Sequence, residues 1–404
     1  MEHNAAEVLN LDALKPFGFY EFFAGGGMAR LGLGAAWTCF FSNDFDAKKV
    51  ASYRQNFSPA NEMHHGDVAL VTPAQLPKHA TLAWASFPCQ DLSLAGNGKG
   101  LAGNRSGVFW AFWKLMQKLK AEGRRPPIIA LENVSGLITS HKGEDLTNLI
   151  GALSAEGYRV GAIALDGALF VAQSRPRVFL IAVARGVTMP KGLIGKVPNP
   201  VWHPESLQEV VEALTPEVRK DWLWWKLPMP RKEAPHLLSI IELEPKGVEW
   251  HTPEETEKLL SLMTPGNLAK VTAAKKIGSL QVGTIYKRTR QNIQRAEIRF
   301  DGVSGCLRTP SGGSSRQLVM LVEGNNVRSR LISPRETARL MGLPETYVLP
   351  ERYNDTYHLT GDGLVVPAVS WIEEHIIRPV ALSAQKVIAK RRVTLQSMNA
   401  SLLD

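Results

Sequence analysis

From Gly18 to about Ala184 the chain alternates short apolar, β-branched or aromatic runs with longer amphipathic stretches. That rhythm marks βαβ units, a parallel sheet covered by helices. The runs GFYEFFA, TCFFSND, LAWASFP, PIIALENV, RVGAIALD and RVFLIAVA predict strands. Helices are predicted after Gly27, over AKKVASYRQNF and over WAFWKLMQKLKAE, where apolar residues recur at helical spacing. The fold class expected is α/β, a Rossmann-like doubly wound domain.

Beyond Val187 the rhythm stops. KVPNPVWHPE, LPMPRKEAPH and MTPGNLAK are rich in Pro and Gly, which predicts a smaller, irregular second lobe. Near the end, ISPRETARLMGLPETY reads as a capped helix with Pro334 in its first turn, and GDGLVVPAVSWIEEHI as a loop entering an amphipathic helix. The three tryptophans Trp222, Trp224 and Trp225 read as packing residues.

A length of 404 residues fits two domains, and the 44% hydrophobic and 21% charged shares exclude a disordered chain. No apolar run approaches the roughly 20 residues needed to span a bilayer, and the start MEHNAAEVLN has no secretory pattern, so no membrane partner and a cytoplasmic location are expected. Cys39, Cys89 and Cys306 are scattered, which argues against a disulfide framework and against a zinc site, so no metal is expected. The net charge of +9 makes a polyanion a candidate partner. From Lys275 to Arg335 there are 12 Lys or Arg against three Asp or Glu, a segment suited to phosphate.

The candidate chemistry lies at predicted strand ends. Phe23-Ala24-Gly25-Gly26-Gly27 lets backbone approach a nucleotide-like ligand, and Asp44, 19 residues beyond Gly25, can accept from ribose hydroxyls. Ser86-Phe87-Pro88-Cys89-Gln90 puts a cysteine on a loop at the same edge, unlike Cys39, which reads as a small core residue; Cys306 stays open between the two. Glu132-Asn133-Val134 delivers a carboxylate there, an acid or acceptor for a heterocycle. In Gln173-Ser174-Arg175-Pro176-Arg177 the two guanidiniums alternate, so both can point the same way, one toward a carbonyl oxygen or phosphate and the other toward the carboxylate.

In this order the segments FAGGGMARLGL, SNDFDAKKVASYRQNF, HGDV, PCQ, ENV, QSRPR, RLISPRETARLMGLP and GDGLVVPAV resemble the DNA cytosine-5 methyltransferase family, bacterial or phage restriction-modification type, over nearly the whole chain. The resemblance implies an S-adenosyl-L-methionine-binding catalytic domain over residues 15–187, a target-recognition domain over 188–327, and a portion over 328–404 that returns to the first. It implies that Phe23, Ala24, Gly25 and Gly27 cradle the cofactor, that Asp44 holds its ribose, that Phe45 stacks on adenine, and that Asp67 and Val68 meet the adenine edge. Pro88, Val108 and Asp362 would complete that pocket, and S-adenosyl-L-homocysteine would be the product.

For the chemistry, the resemblance implies Cys89 as nucleophile at C6 of a flipped-out cytosine, with Gln90 and Asn133 beside it. Glu132 would hold the N3 and N4 edge, Arg175 the O2 oxygen, and Arg177 would position the glutamate. The glycine-rich loop after Gln90, with Lys99 and Arg105, would close over the flipped-out nucleotide, while Arg288, Arg290, Arg308, Ser314, Ser315, Arg316 and Gln317 are the candidates for reading or anchoring double-stranded DNA. A monomer is expected, with a cognate restriction endonuclease as a separately acting counterpart. The alternatives are an RNA cytosine-5 methyltransferase and a catalytically silent DNA-binding relative. Three residues depart from the family pattern: Met28 for a glycine, Glu21 for an aspartate and Asp362 for an asparagine.

Overall fold

The computed structural model describes residues 17–88, 107–231, 233–290, 292–308 and 315–385. Its larger sheet has seven strands: β1 (Phe17–Phe22), β2 (Trp37–Asp44), β3 (Met63–His65), β4 (Leu82–Ala85), β5 (Ile128–Val134), β6 (Tyr158–Asp166) and β7 (Pro176–Ala184), in the order β3-β2-β1-β4-β5-β7-β6. The first five run parallel, and β7 is antiparallel to both its neighbours. Every residue of β1 is buried, as expected of a strand covered on both faces. The chain reverses direction across the sheet between β1 and β4, and in open α/β sheets ligands bind at the carboxyl ends of strands flanking such a point.

Helices α1 (Met28–Leu33), α2 (Ala47–Asn56), α3 (Val108–Ala121) and α4 (Glu144–Ala155) follow these strands. The apolar face of α3 buries Phe109, Phe112, Leu115, Met116 and Leu119, which realises the periodicity read from the sequence. The segment after Val187 does not leave this body at once. Its short pair β8 (Ile194–Gly195) and β9 (Trp224–Trp225), with α5 (Glu205–Glu212) and α6 (Pro216–Lys220), adds Trp202, Leu207, Trp222 and Trp225 to the main core. The tryptophans thus pack, as their apolar setting suggested.

A separate apolar cluster, from Leu259 to Val322, forms the second lobe. Helices α7 (Pro253–Ser261) and α8 (Pro265–Ile277) cover an antiparallel sheet of β10 (Gln281–Arg290), β11 (Ile293–Arg299), β12 (Leu318–Glu323) and β13 (Asn326–Leu331), ordered β11-β10-β12-β13. This lobe is more regular than its text suggests, it begins later than residue 188, and β13 carries it past residue 327.

At the junction, Arg330 and Glu336 form a fully buried two-pronged pair with N–O distances of 2.7 and 2.6 Å, joining β13 to α9 (Pro334–Arg339). Ser333 and Glu336 cap α9 reciprocally, as the Ser-Pro-Arg-Glu text implies. After α10 (Tyr353–Gly361), helix α11 (Val366–Ile372) returns to the first domain against α1. There a Cβ on Gly32 would sit 2.4 Å from Val369 Cβ, and Ser370 Oγ donates to Gly32 O at 2.9 Å.

Candidate functional site

The loop leaving β1 is bent by left-handed backbone at Phe23 (φ 57°), Gly25 (φ 56°) and Gly27 (φ 79°). At Gly25 a Cβ would meet nothing, so the backbone faces open space; at Gly27 it would strike the Phe57 ring at 2.2 Å. Asp44, ending β2, holds the loop in this shape. Its Oδ2 accepts from Gly25 N–H at 2.7 Å and its Oδ1 from Asp46 N–H at 2.8 Å, while Ala24 N–H donates to Asn43 O at 3.0 Å. Phe45 follows with 77% of its surface exposed. Asp67 caps the turn after β3 by accepting from Ala69 N–H at 2.8 Å, and Val68 is buried beneath it.

The C-terminal segment closes on this loop at three points. Tyr347 Oη donates to Gly26 O at 2.8 Å. Lys49 Nζ pairs with Asp362 Oδ2 at 2.7 Å, and Met28 lies against Gly363, where a Cβ would come within 2.3 Å of its Sδ. Two of the three departures from the family pattern therefore have partners: Met28 fills space that glycine leaves at 363, and Lys49 balances the carboxylate at 362. Neither partner was picked out in the sequence, because each is recognisable only across more than 300 residues of intervening chain.

The third departure, Glu21, is 1% exposed, and burial lifts its carboxyl to about 8, with Arg30 opposing. Its Oε1 accepts from Arg30 N–H at 3.3 Å.

Across the switch point, β4 runs into Ser86, buried Phe87 and exposed Pro88. Cys89, Gln90, Lys99, Arg105 and Ser314 lie outside the described residues. Asn133 braces the approach to Cys89, its Nδ2 donating to Phe87 O at 3.0 Å and its Oδ1 accepting from Val134 N–H at 2.9 Å. Glu132 is 7% exposed, and Arg177 Nε stands 3.0 Å from its Oε1. The two meet diagonally across β5 and β7, where Val134 faces Arg177 and Glu132 faces Phe179. Burial raises the Glu132 carboxyl above the usual range, while Arg177, Arg175 and the Ser86 hydroxyl pull it down. Val108, at the start of α3, packs against the core.

Arg175 shares a recess with Arg177, but its hydrogen bonds run elsewhere. It is 2% exposed, and its guanidinium donates to Leu307 O (3.1 Å), Gly361 O (2.8 Å) and Gly363 O (2.7 Å), with Cys306 Sγ at 3.4 Å. It is a strut between the lobes, and burial lowers its pKa to about 10. Arg175 precedes β7, so the alternation of a strand does not govern it; Nη1 and Nη2 are spent on these carbonyls, while Nε is buried without a hydrogen-bond partner among the described residues. With Arg177, Leu165, Phe179, Leu364 and Val365 it lines a small open recess.

Among the residues expected to meet DNA, Arg308 is exposed, and Arg288 is partly exposed with Glu297 at 3.4 Å. Arg290 ends β10. Ser315 Oγ accepts from Lys287 N–H at 2.8 Å, and Arg316 Nη2 donates to Asn354 Oδ1 at 2.5 Å. Gln317 is fully buried, its amide enclosed by Tyr286 and Ser304 and its N–H donating to Tyr357 Oη at 2.9 Å, so base reading by this side chain is corrected to packing.

Residues 17–378 match the family described as C-5 cytosine-specific DNA methylase. The chain is similar to Type II methyltransferase M.HaeII of Haemophilus aegyptius, 26% identical over 97% of this chain and 100% of that one. It is also similar to Type II methyltransferase M.HpaII of Haemophilus parainfluenzae, 25% identical over 89% of each. Its fold is like that of the S. pombe Dnmt2 methyltransferase, with a TM-score of 0.57, 17% identity and coverage of 90% of this chain and 99% of the other.

Proposed function

The chain belongs to the C-5 cytosine-specific DNA methylase family, and from that premise we propose which of its residues move a methyl group from S-adenosyl-L-methionine to C5 of a cytosine flipped out of a specific duplex sequence. The observation that carries this assignment is the buried Glu132–Arg177 pair, set at the sheet edge next to the strand end that leads into Cys89.

The glycine loop fits the cofactor. Gly25 leaves open backbone, Asp44 keeps lone pairs beyond the two already used, Phe45 offers an exposed ring, and Asp67 an exposed carboxylate. Phe23, Ala24, Gly27, Val68, Pro88, Val108 and Asp362 would frame the same site. When bound, the cofactor supplies an electrophilic methyl group.

The protein's part begins with the base. C5 of cytosine is a weak nucleophile, and adding the Cys89 thiolate to C6 forms an S–C6 bond while the double-bond pair moves toward C5 and the ring's N3 side. Glu132, whose carboxyl burial pushes toward the protonated form, donates at N3 and stabilises that charge. Arg177 holds the carboxyl in place, and Arg175, whose Nε is unspent in the same recess, would serve O2. Once C5 carries the methyl group, loss of its proton and rupture of the S–C6 bond restore the aromatic ring.

The target must first leave the helix, at about a few kcal/mol. Arg308 and Arg288 of the second lobe, with Lys99 and Arg105 from the loop after Gln90, are the cations for backbone and base contacts. Its relatives are named Type II methyltransferases, which fits a separately acting restriction endonuclease as counterpart; we further propose that the chain works as a monomer. Among the described residues no helix is long and apolar enough to cross a membrane.

Bisulfite sequencing of DNA from a methylation-free host expressing the protein tests the proposal. Protected cytosines within one recurring sequence are expected, and none in a host expressing Cys89→Ser. Protection that persists with that variant would overturn the nucleophile assignment.

A further inference from the structure

We infer that Tyr347 is a positioning residue for the cofactor: its hydroxyl fixes the peptide that follows Gly26, and so sets the backbone that Gly25 presents to the ligand. The inference rests on the cofactor site proposed above. Tyr347 is 3% exposed, and its Oη donates to Gly26 O at 2.8 Å. That bond uses the single phenolic hydrogen, so in the 3.3 Å contact between Tyr347 Oη and Ser52 Oγ it is the serine that donates. Burial lifts the phenol to about 12, which keeps it a donor at neutral pH.

The weight of this one bond comes from the loop around it. The Ala24–Gly25 peptide is held at both ends, its carbonyl accepting from Gly27 N–H at 2.9 Å and its N–H donating to Asp44 Oδ2 at 2.7 Å. The Gly26–Gly27 peptide is held likewise, its N–H by Ala24 O and its carbonyl by Tyr347. Between them lies the Gly25–Gly26 peptide, with open space where a Gly25 Cβ would stand. Two fixed planes thus set the one that faces the ligand. Without the phenol, the second plane keeps only its N–H bond and can rotate, carrying the ligand-facing peptide with it.

Both partners are built for the contact. Asn56 of α2 brackets Val348, accepting from its N–H at 2.8 Å and donating to its carbonyl at 3.0 Å, and Arg335 donates to Tyr347 O at 3.0 Å, so the ring arrives on a braced turn. A Cβ on Gly26 would lie 2.4 Å from Tyr347 Oη and 2.8 Å from Leu359 Cδ1. Glycine at 26 therefore makes room for the hydroxyl, whereas Gly25 and Gly27 on either side adopt left-handed backbone.

Tyr347→Phe removes the hydroxyl and keeps the ring. A neutral hydrogen bond shifts an equilibrium by up to about tenfold, so calorimetric titration with S-adenosyl-L-homocysteine should give a Kd raised about five- to tenfold, with Kd for duplex DNA and kcat at saturating cofactor within about twofold. A merely structural role would instead lower the melting temperature and leave the cofactor Kd of the folded protein unchanged. Gly26→Ala should also weaken binding, and because Tyr347→Phe removes the nearest clashing atom, the double variant should bind about threefold or more better than the product of the single losses. Asp44→Ala, run alongside, separates the two levels. If Asp44→Ala loses binding while Tyr347→Phe binds like the unmodified protein, or if the single losses simply multiply, the Tyr347 assignment is wrong and the cofactor site stands. If Asp44→Ala binds as tightly as the unmodified protein, the site itself is wrong and the inference falls with it.

Discussion

Gly363→Ala puts a methyl group into the seam between the glycine loop and the C-terminal segment. The new Cβ would lie 2.3 Å from Met28 Sδ, 2.6 Å from Met28 Cε and 3.0 Å from Leu359 O. The thioether can swing aside, but Met28 is 2% exposed and has little free space, and the helix carbonyl of Leu359 is fixed. Overpacking of this kind costs about 1–3 kcal/mol, and the rigid third contact argues for about 2. Met28→Ala alone opens a cavity and should cost about 2–5 kcal/mol. In the double variant the new methyl group occupies part of that cavity, so the combined loss should fall short of the sum by about 1 kcal/mol, the coupling expected of touching residues. Urea unfolding of all four proteins measures this directly. A Gly363→Ala midpoint equal to that of the unmodified chain, or costs that add within about 0.5 kcal/mol, would refute the idea that Met28 and Gly363 are matched.

Five further variants have expected outcomes. Arg177→Lys should leave stability nearly unchanged and lower kcat about a hundredfold, whereas Arg175→Lys should lower the melting temperature by leaving interlobe carbonyls unbonded; thermal melts beside single-turnover rates separate the two. Gln317→Ala should cost about 1–3 kcal/mol in unfolding without changing the methylated sequence, while Arg308→Ala should weaken DNA binding and reduce its salt slope by about one contact in a binding titration. Glu21 holds its proton to about pH 8 when folded but only to about 4.5 when unfolded, so its contribution is full below 4.5 and is lost as pH rises through 8. Glu21→Gln should therefore flatten the decline in melting temperature across that window and be the more stable protein at its alkaline end.

Much of the catalytic domain was legible because its strands are buried on both faces and read as unbroken apolar runs. The three-residue β3, Met-His-His, has no such signal. The second lobe was hidden for a related reason. Ile285, Ala296 and Ile298 face the lobe's core while most of the intervening Arg, Gln and Glu residues of β10 and β11 face outward, so the text looked like an irregular basic stretch rather than a half-buried sheet. The Pro-rich text after Val187 resembled a boundary, yet Trp202 and Trp225 tie it to the first core. Glu132 and the glycine loop were visible because strand ends fix where they sit. Arg175 and Gln317 were not, because whether a polar side chain faces solvent or carbonyls from distant loops depends on contacts that local pattern does not carry. Lys49 escaped notice for the same reason, gaining meaning only from Asp362.

The central claim, methylation at C5 of cytosine in duplex DNA, is tested most directly by incubating the purified protein with S-adenosyl-L-methionine carrying a labelled methyl group and duplex DNA, then digesting the DNA to nucleosides for mass spectrometry. The label should appear in 5-methyl-2′-deoxycytidine alone and be absent with Cys89→Ser. Label on an exocyclic amine of cytosine or adenine, or label accepted by RNA and refused by duplex DNA, would contradict the account.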